Sequence, residues 1–218
     1  MKTLTAWSYS RWQTYEQCPL KAKLKFIDKL PEPSSPPMER GSAIHKLAEN
    51  YVRGDIKKLP PELKLMKGKF KDLVKAEALA EEQWCFTRKW EVTGWFDANA
   101  WLRIKVDALN PNLKTRTLLI VDHKTGREKP DHMAQLSLYA MGGFIKHTDM
   151  EVVDAQLWYL DSGVPRSMLF KRSELPALKK DWTGKTKAML SDTTFAPRPG
   201  NYCRWCHFSK AQGGPCKY

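Results

Sequence analysis

Two apolar segments that each run into an aspartate, fifteen residues apart, constrain this chain more than any other feature. Arg103-Ile104-Lys105-Val106-Asp107 ends the first, and Leu119-Ile120-Val121-Asp122 ends the second before continuing as His123-Lys124-Thr125-Gly126. Between them Asn110-Pro111-Asn112 reads as a turn, so the segments are expected to be neighbouring strands with Asp107 and Asp122 converging on one spot. Two half-buried carboxylates repel unless a cation sits between them, and hard oxygen ligands suit Mg²⁺ or Mn²⁺. Lys124 follows Asp122 by two positions, which puts both side chains on one face of a strand. Its ammonium would orient a water or balance charge developing on a phosphate. An isolated Asp-x-Lys is more often a solvated turn, so the rest of the chain has to decide.

Periodicity divides the chain into helices, a strand meander, a helix, a strand, a helix and a tail. Ser8-Tyr9-Ser10 can cap a first helix. A second is expected over Leu20–Leu30, followed by a proline-rich connector, Pro31–Pro37, that is expected to be neither helix nor central strand. Gly41–Val52 is amphipathic, with Ile44, Leu47, Ala48 and Tyr51 on one side, and Glu62–Trp84 gives a long basic helical pattern. Strands are expected between Cys85 and Val121 and over Glu151–Leu160, with helices over Met133–Phe144 and Ser173–Leu190. The fold class is α/β with a mixed central sheet flanked by helices, and no repeat or second large domain interrupts it. The reading is one domain over 1–218: N-terminal helices in 1–60, a catalytic sheet and helix in 85–160, and a cysteine-rich tail in 197–218.

The chain has 37 Lys and Arg against 24 Asp and Glu, and the net charge of +13 favours a polyanionic partner, most often nucleic acid. The excess is concentrated in Arg166–Tyr218, with 11 basic and 3 acidic side chains. No apolar run approaches the ~20 residues of a membrane helix, and no secretory signal follows Met1-Lys2-Thr3. A cytoplasmic protein with no membrane partner is expected. Five cysteines, three of them in the last sixteen residues, suit metal ligation better than a disulfide framework. Cys203 and Cys206 form a C-x2-C pair, Cys216 follows, and Cys85 between Trp84 and Phe86 reads as a core residue.

With these residues in view the sequence resembles the PD-(D/E)XK nuclease superfamily, and within it the RecB-like branch that includes the AddB nuclease domain and CRISPR-associated exonucleases. Ser8-x-Ser10 through Cys18-Pro19 is similar to the branch's N-terminal segment, and Gly41-x3-His45 to its metal-binding helix. Val106-Asp107 is similar to the strand with the first acidic ligand, Asp122-His123-Lys124-Thr125-Gly126 to the catalytic core, and Gln135-x3-Tyr139 to the helix that follows. The resemblance implies a restriction-endonuclease-like core. His45, Asp107, Asp122 and the His123 carbonyl would hold a divalent ion, and Lys124 would activate water or stabilise the phosphate under attack. Gln135 and Tyr139 would sit beside them. Asp97, in Gly94-Trp95-Phe96-Asp97, is a rival for Asp107, which is preferred because it ends an apolar strand.

The same resemblance implies a [4Fe–4S] cluster on Cys18, Cys203, Cys206 and Cys216, tying the chain ends together. Zinc on Cys203, Cys206 and Cys216 with Cys18 or His207 is the alternative. Cys216 departs from the pattern, following Cys206 after nine residues. Trp95, Trp101 and Trp158 are expected in the core; Trp7, Trp12 and Trp205 are the tryptophans expected to do something else. Lys64, Lys67, Lys69, Lys71 and Lys75 would track phosphates or form a solvated face. The activity implied is a metal-dependent exonuclease acting on linear DNA ends, single- or double-stranded, in replication, recombination or repair. It would work in a bacterial or phage-infected cell, with replication or recombination proteins as partners. The alternatives are a structure-specific or complex-dependent endonuclease and a catalytically idle DNA-binding module of the same fold.

Overall fold

The computed structural model describes residues 3–129 and 131–218, so the Met1-Lys2 start read above lies outside it. The chain forms two compact units, Pro36–Asp181 and, from its two ends, Met1–Ser35 with Trp182–Tyr218.

Within Pro36–Asp181 the helices are α3 (Pro36–Arg53), α4 (Lys67–Lys75) and α5 (His132–Lys146), after α1 (Tyr9–Gln17) and α2 (Pro19–Ala22) of the other unit. The strands are β1 (Leu79–Phe86), β2 (Val92–Thr93), β3 (Leu102–Asn112), β4 (Thr117–Lys124), β5 (Val152–Tyr159) and β6 (Val164–Lys171). They form one six-stranded sheet in the order β2-β1-β3-β4-β5-β6. Only the β4–β5 pair is parallel among the described ladders, because α5 carries the chain back between them. The sheet is therefore mixed, with helices on both faces.

Residue size explains how each face is covered. On one side α5 comes close to the sheet at Gly142 and Gly143, where a Cβ would meet Ile104 Cδ1 at 2.6 Å and Leu118 and Ile120 at 2.9 Å. On the other, Ile44, Ala48 and Tyr51 of α3 and Phe70 and Leu73 of α4 bury against Ala108, Val121 and Trp158.

Four boundaries differ from the sequence reading. Pro36 and Pro37 open α3 rather than precede it, since a first-turn proline forfeits no helical hydrogen bond. The basic helix expected over Glu62–Trp84 is a 3₁₀ turn (Pro61–Met66), then α4, then β1. Glu77, at φ 51°, ends the helical run, and pairing with β3 overrides the helical preference of Leu-Ala-Glu-Glu-Gln. Asn110-Pro111-Asn112 stays in β3; the turn comes later, where Asn112 Oδ1 accepts the N–H groups of Lys114 and Thr115 at 3.1 Å each. Strand β6 was not expected, because nearly all its side chains are exposed and carry no alternation.

In the terminal unit Trp182, on the last helix α6 (Leu175–Ser191), is enclosed by aromatic rings. Trp7 stacks on it at 5.8 Å and Trp12 meets it edge-on at 5.2 Å. The tail is not plain loop, since it forms 3₁₀ turns over Asn201–Trp205 and Lys210–Gln212. No helix among the described residues is long and apolar enough to cross a membrane.

Gly142→Val is expected to destabilise the protein by about 1–3 kcal/mol through overpacking. Gly184→Ala, at an exposed position of α6 where a Cβ meets nothing within 4 Å, should not. Urea midpoints of the two variants beside wild type test this.

Candidate active site

Strand β4 ends with Asp122 and Lys124 facing α5 and His123 facing α3 and α4, as alternation requires. On the α5 side Asp122 Oδ1 accepts a bond from the Tyr139 hydroxyl at 2.5 Å and one from Gln135 Nε2 at 3.3 Å. Lys124 Nζ lies 2.7 Å from Asp122 Oδ2 and donates to Gln135 Oε1 at 2.8 Å. Gln135 also donates to the Tyr139 hydroxyl. Gln135 and Tyr139 sit four apart, one turn along the same helix face. Burial first, then the charges of Asp122 and Asp107, push the Tyr139 phenol well up, so it remains a donor.

On the α3 side, His45 Nδ1 lies 3.1 Å from Asp107 Oδ1. Asp107 Oδ2 accepts the His123 backbone N–H at 2.6 Å. Burial opposes charge on both His45 and Asp107. Their contact prevails, raising the His45 imidazole and holding the Asp107 carboxyl below its usual range. The Asp122 charge also raises His45. The His123 ring is 1% exposed, and burial drives it toward the neutral form. Neither of its nitrogens has a hydrogen-bond partner, and Nδ1 lies 3.8 Å from Asp107 Oδ2.

The strand beside Asp107 is irregular. The β1–β3 ladder runs from Leu79↔Leu109 to Phe86↔Leu102 but skips Glu81 opposite Asp107. Glu81 has φ 55°, a left-handed conformation that costs a non-glycine residue of order 1 kcal/mol. Across the interruption Asp107 and Ala108 both face α3. Two motif glycines have local reasons as well. A Cβ at Gly41 would stand 3.2 Å from Thr125 Oγ1, and Gly126 has φ 83°. Asp161 fixes that loop by accepting the Gly126 N–H at 2.7 Å while pairing with Arg40 of α3 at 2.6 Å.

Among the described residues, one group of His, Cys, Asp or Glu brings three ligand atoms within 4.8 Å of one another: His45, Asp107 and His123. His45 and Asp107 open on a polar cleft of about 420 Å³ that also takes in Glu49, Glu81 and Lys105.

The signature of the PD-(D/E)XK nuclease superfamily matches residues 6–211. The chain belongs to that superfamily. Its fold is similar to the crystal structure of a protein from Eubacterium rectale named "putative exonuclease". That likeness has TM-score 0.50 and 12% identity over 93% of this chain and 87% of that one. A crystal structure of the protein SSO0001 matches with TM-score 0.47 and 14% identity, over 95% of this chain and 86% of that one. No curated protein matches the chain.

In this nuclease-superfamily chain, the structure brings His45, Asp107, Asp122, Lys124, Gln135 and Tyr139 to the end of β4. The Asp122 oxygens are turned to α5 and to Lys124, and the Asp107 oxygens to α3 and His123. Asp97 is elsewhere, in an exposed turn where it accepts the Asn99 N–H at 2.7 Å. Sequence reasoning cited His123 for its carbonyl and did not consider its ring. It also passed over Glu49, although the i, i+4 spacing from His45 is a legible signal. Glu81 carries none, since its place depends on the break in β1.

Cys18, Cys203, Cys206 and Cys216 lie in the terminal unit, and none of the five cysteines forms a disulfide. Cys18 Sγ accepts the Arg198 N–H and Cys203 Sγ the Gly200 N–H, each at 3.4 Å. Tyr202 donates to the Gln17 carbonyl at 2.6 Å, bridging the tail to α1. Cys216 is held to the same tail by donating its N–H to the Phe208 carbonyl at 2.9 Å. Cys85 is buried in β1, as expected. Contrary to the expectation, Trp7 is buried and Trp12 half-buried against Trp182, while Trp95, expected in the core, is only half-buried; Trp205 is 71% exposed.

Tyr139→Phe removes a donor to a buried carboxylate and is expected to destabilise by about 1.5–3 kcal/mol at neutral pH. Urea denaturation of the variant beside wild type measures the loss.

Proposed function

We propose that this chain is a divalent-metal-dependent DNA exonuclease of the RecB-like branch, hydrolysing phosphodiester bonds from DNA ends in replication, recombination or repair. One observation carries the reading: the Lys124 ammonium is held between Asp122 and Gln135, at the strand end that also presents the His45–Asp107 pair. Tyr139 and Gln135 both bond Asp122 Oδ1, which leaves Oδ2 to Lys124 and to whatever the site binds.

The residues fit a divalent ion. Ligand atoms about 2.1 Å from an octahedral ion stand roughly 3 Å apart at right angles, close to the 3.1 Å between His45 Nδ1 and Asp107 Oδ1. The orphaned His123 ring beneath them supplies a further donor, and Asp122 is the second acid of the proposed set, with the His123 carbonyl. Mg²⁺ or Mn²⁺ bound there would supply Lewis acidity toward the phosphate and a more acidic water. The chain's own groups do the rest. Lys124 uses two of its three donors on Asp122 and Gln135 and turns the third to a phosphate oxygen. Tyr139 and Gln135 keep Asp122 from swinging. Water adds to phosphorus and gives up one proton, the P–O bond to the leaving oxygen breaks, and that oxygen takes up a proton in its place.

The same reading places a [4Fe–4S] cluster on Cys18, Cys203, Cys206 and Cys216, with structural zinc as the alternative. What supports a metal there is that the four cysteines belong to one unit, and that backbone N–H groups donate to the Cys18 and Cys203 sulfurs, as they do to metal-bound thiolates. The cluster is a brace for the two chain ends and takes no part in hydrolysis.

End-labelled linear and covalently closed circular DNA, incubated together with Mg²⁺ or Mn²⁺, test the activity. Loss of the linear DNA alone is expected, abolished by EDTA and by Lys124→Ala or Asp122→Asn. Cutting of the circle would replace the exonuclease with an endonuclease, and no cutting by folded, metal-loaded protein would leave the binding module. Cys203→Ser is expected to lose iron, visible colour and soluble yield together; a variant that keeps its iron would sink the cluster.

A further inference from the structure

The loop between β2 and β3 presents the most exposed large apolar side chain described, Phe96, at 92%. A single exposed ring normally needs no explanation. This one sits in a turn that is firmly built. Asp97 donates its N–H to Gly94 at 3.2 Å, Ala100 donates to Asp97 at 3.0 Å, and Asp97 Oδ1 takes the Asn99 N–H. The neighbouring Trp95 is half-buried, with the Arg103 guanidinium 5.7 Å from its ring and Arg103 Nε donating to its carbonyl at 2.9 Å.

Arg103 connects that turn to the catalytic strand. Arg103, Lys105 and Asp107 alternate along β3 on the face that looks toward α3. Four residues of strand span about 13 Å, roughly four nucleotides at the 3.4 Å spacing of a stacked strand. From Asp107 the face therefore runs through Lys105, half-exposed and paired with Glu81 at 3.0 Å, to Arg103 and then to the two aromatic rings. Arg88 and Lys89 are exposed in the adjoining β1–β2 turn. The acids nearby are Glu81, paired with Lys105, Glu49, paired with Lys46 and Arg53, Glu91, which accepts from Thr87, and Asp97, whose Oδ1 is taken by the loop backbone. Cations for phosphates and a solvated ring for a base are the two elements of a single-strand binding track.

We propose that Phe96, with Trp95 beside it, is a stacking platform for an unpaired base. Lys105 and Arg103 carry the backbone from that platform to Asp107, so single-stranded DNA is the form this face receives. The inference rests on the nuclease reading for its substrate but concerns binding alone. A solvated ring at the apex of a rigid turn stacks on any base, so the platform has no sequence preference. A duplex, whose bases are already stacked, gains nothing from it.

The test compares a labelled single-stranded deoxyoligonucleotide with an abasic strand of equal length and charge. Anisotropy is measured in EDTA at fixed salt. Wild type is expected to bind the base-bearing strand roughly tenfold tighter. Phe96→Ala should bind both strands alike, and Phe96→Tyr should keep the preference. Because the ring is solvated, Phe96→Ala leaves the fold intact, and its thermal midpoint should equal that of wild type. Wild type binding the two strands equally, or Phe96→Ala retaining the preference, overturns the platform and leaves the ring to a partner other than DNA. Base preference without any cleavage keeps this inference while sinking the exonuclease, and cleavage without base preference does the reverse.

Discussion

A carboxylate buried at the end of a central strand is the constraint around which the active end of this molecule is organised. Asp122 is 6% exposed, and an ionised group so placed is tolerable only with charged or polar partners on every open side. Tyr139 and Gln135 reach it from α5, and Lys124 from its own strand. Those partners fix the rotation of α5 about its axis and the seating of the helix, and Gly142 and Gly143 let it come close enough for the bonds to form. Removing any one partner leaves the charge exposed to an apolar interior. Stability and site geometry therefore rest on the same few atoms.

The other half of the site adds backbone strain to the contact between His45 and Asp107. Glu81 adopts a left-handed conformation inside β1, and the ladder beside it skips Asp107. Asp107 keeps the alternation of Arg103 and Lys105 on the α3 face, where it meets His45 and the backbone of His123, and beyond the break Ala108 packs toward α3 as well. Irregular strands of this kind re-aim side chains next to active sites, and the pairs on either side hold the deviation in place.

Much of the site was legible in the sequence because its parts lie at short, periodic spacings. Asp122 and Lys124 are two apart on a strand, and Gln135 and Tyr139 four apart on a helix. Gly41 and Gly126 could be picked out by motif, although their reasons emerge only from the fold: a close approach to Thr125 and a positive φ. The strand β1 was hidden, since Leu79-Ala80-Glu81-Glu82-Gln83 has helical preferences that only pairing with β3 overrules. Edge strand β6 was hidden too, because a strand exposed on both faces writes no alternation. Position along the chain placed Trp101 and Trp158 in the core correctly and Trp205 outside it, but misplaced three others. Trp7 and Trp12 lie near an end yet enclose Trp182, while Trp95 lies in a turn beside the solvated Phe96.

The sequence by itself determined the superfamily, the mixed sheet and the residues that meet at the end of β4, because local period and residue chemistry reside in neighbouring positions. Tertiary structure alone decided which way each of those side chains faces: Asp107 toward α3, Asp122 toward α5, and the His123 ring into the core beneath both. It also decided that Glu49 and Glu81 share the cleft and that Phe96 is solvated at the far end of the strand that carries Asp107. These depend on a kink in one strand and the approach of one helix, and both are set by contacts between residues tens of positions apart.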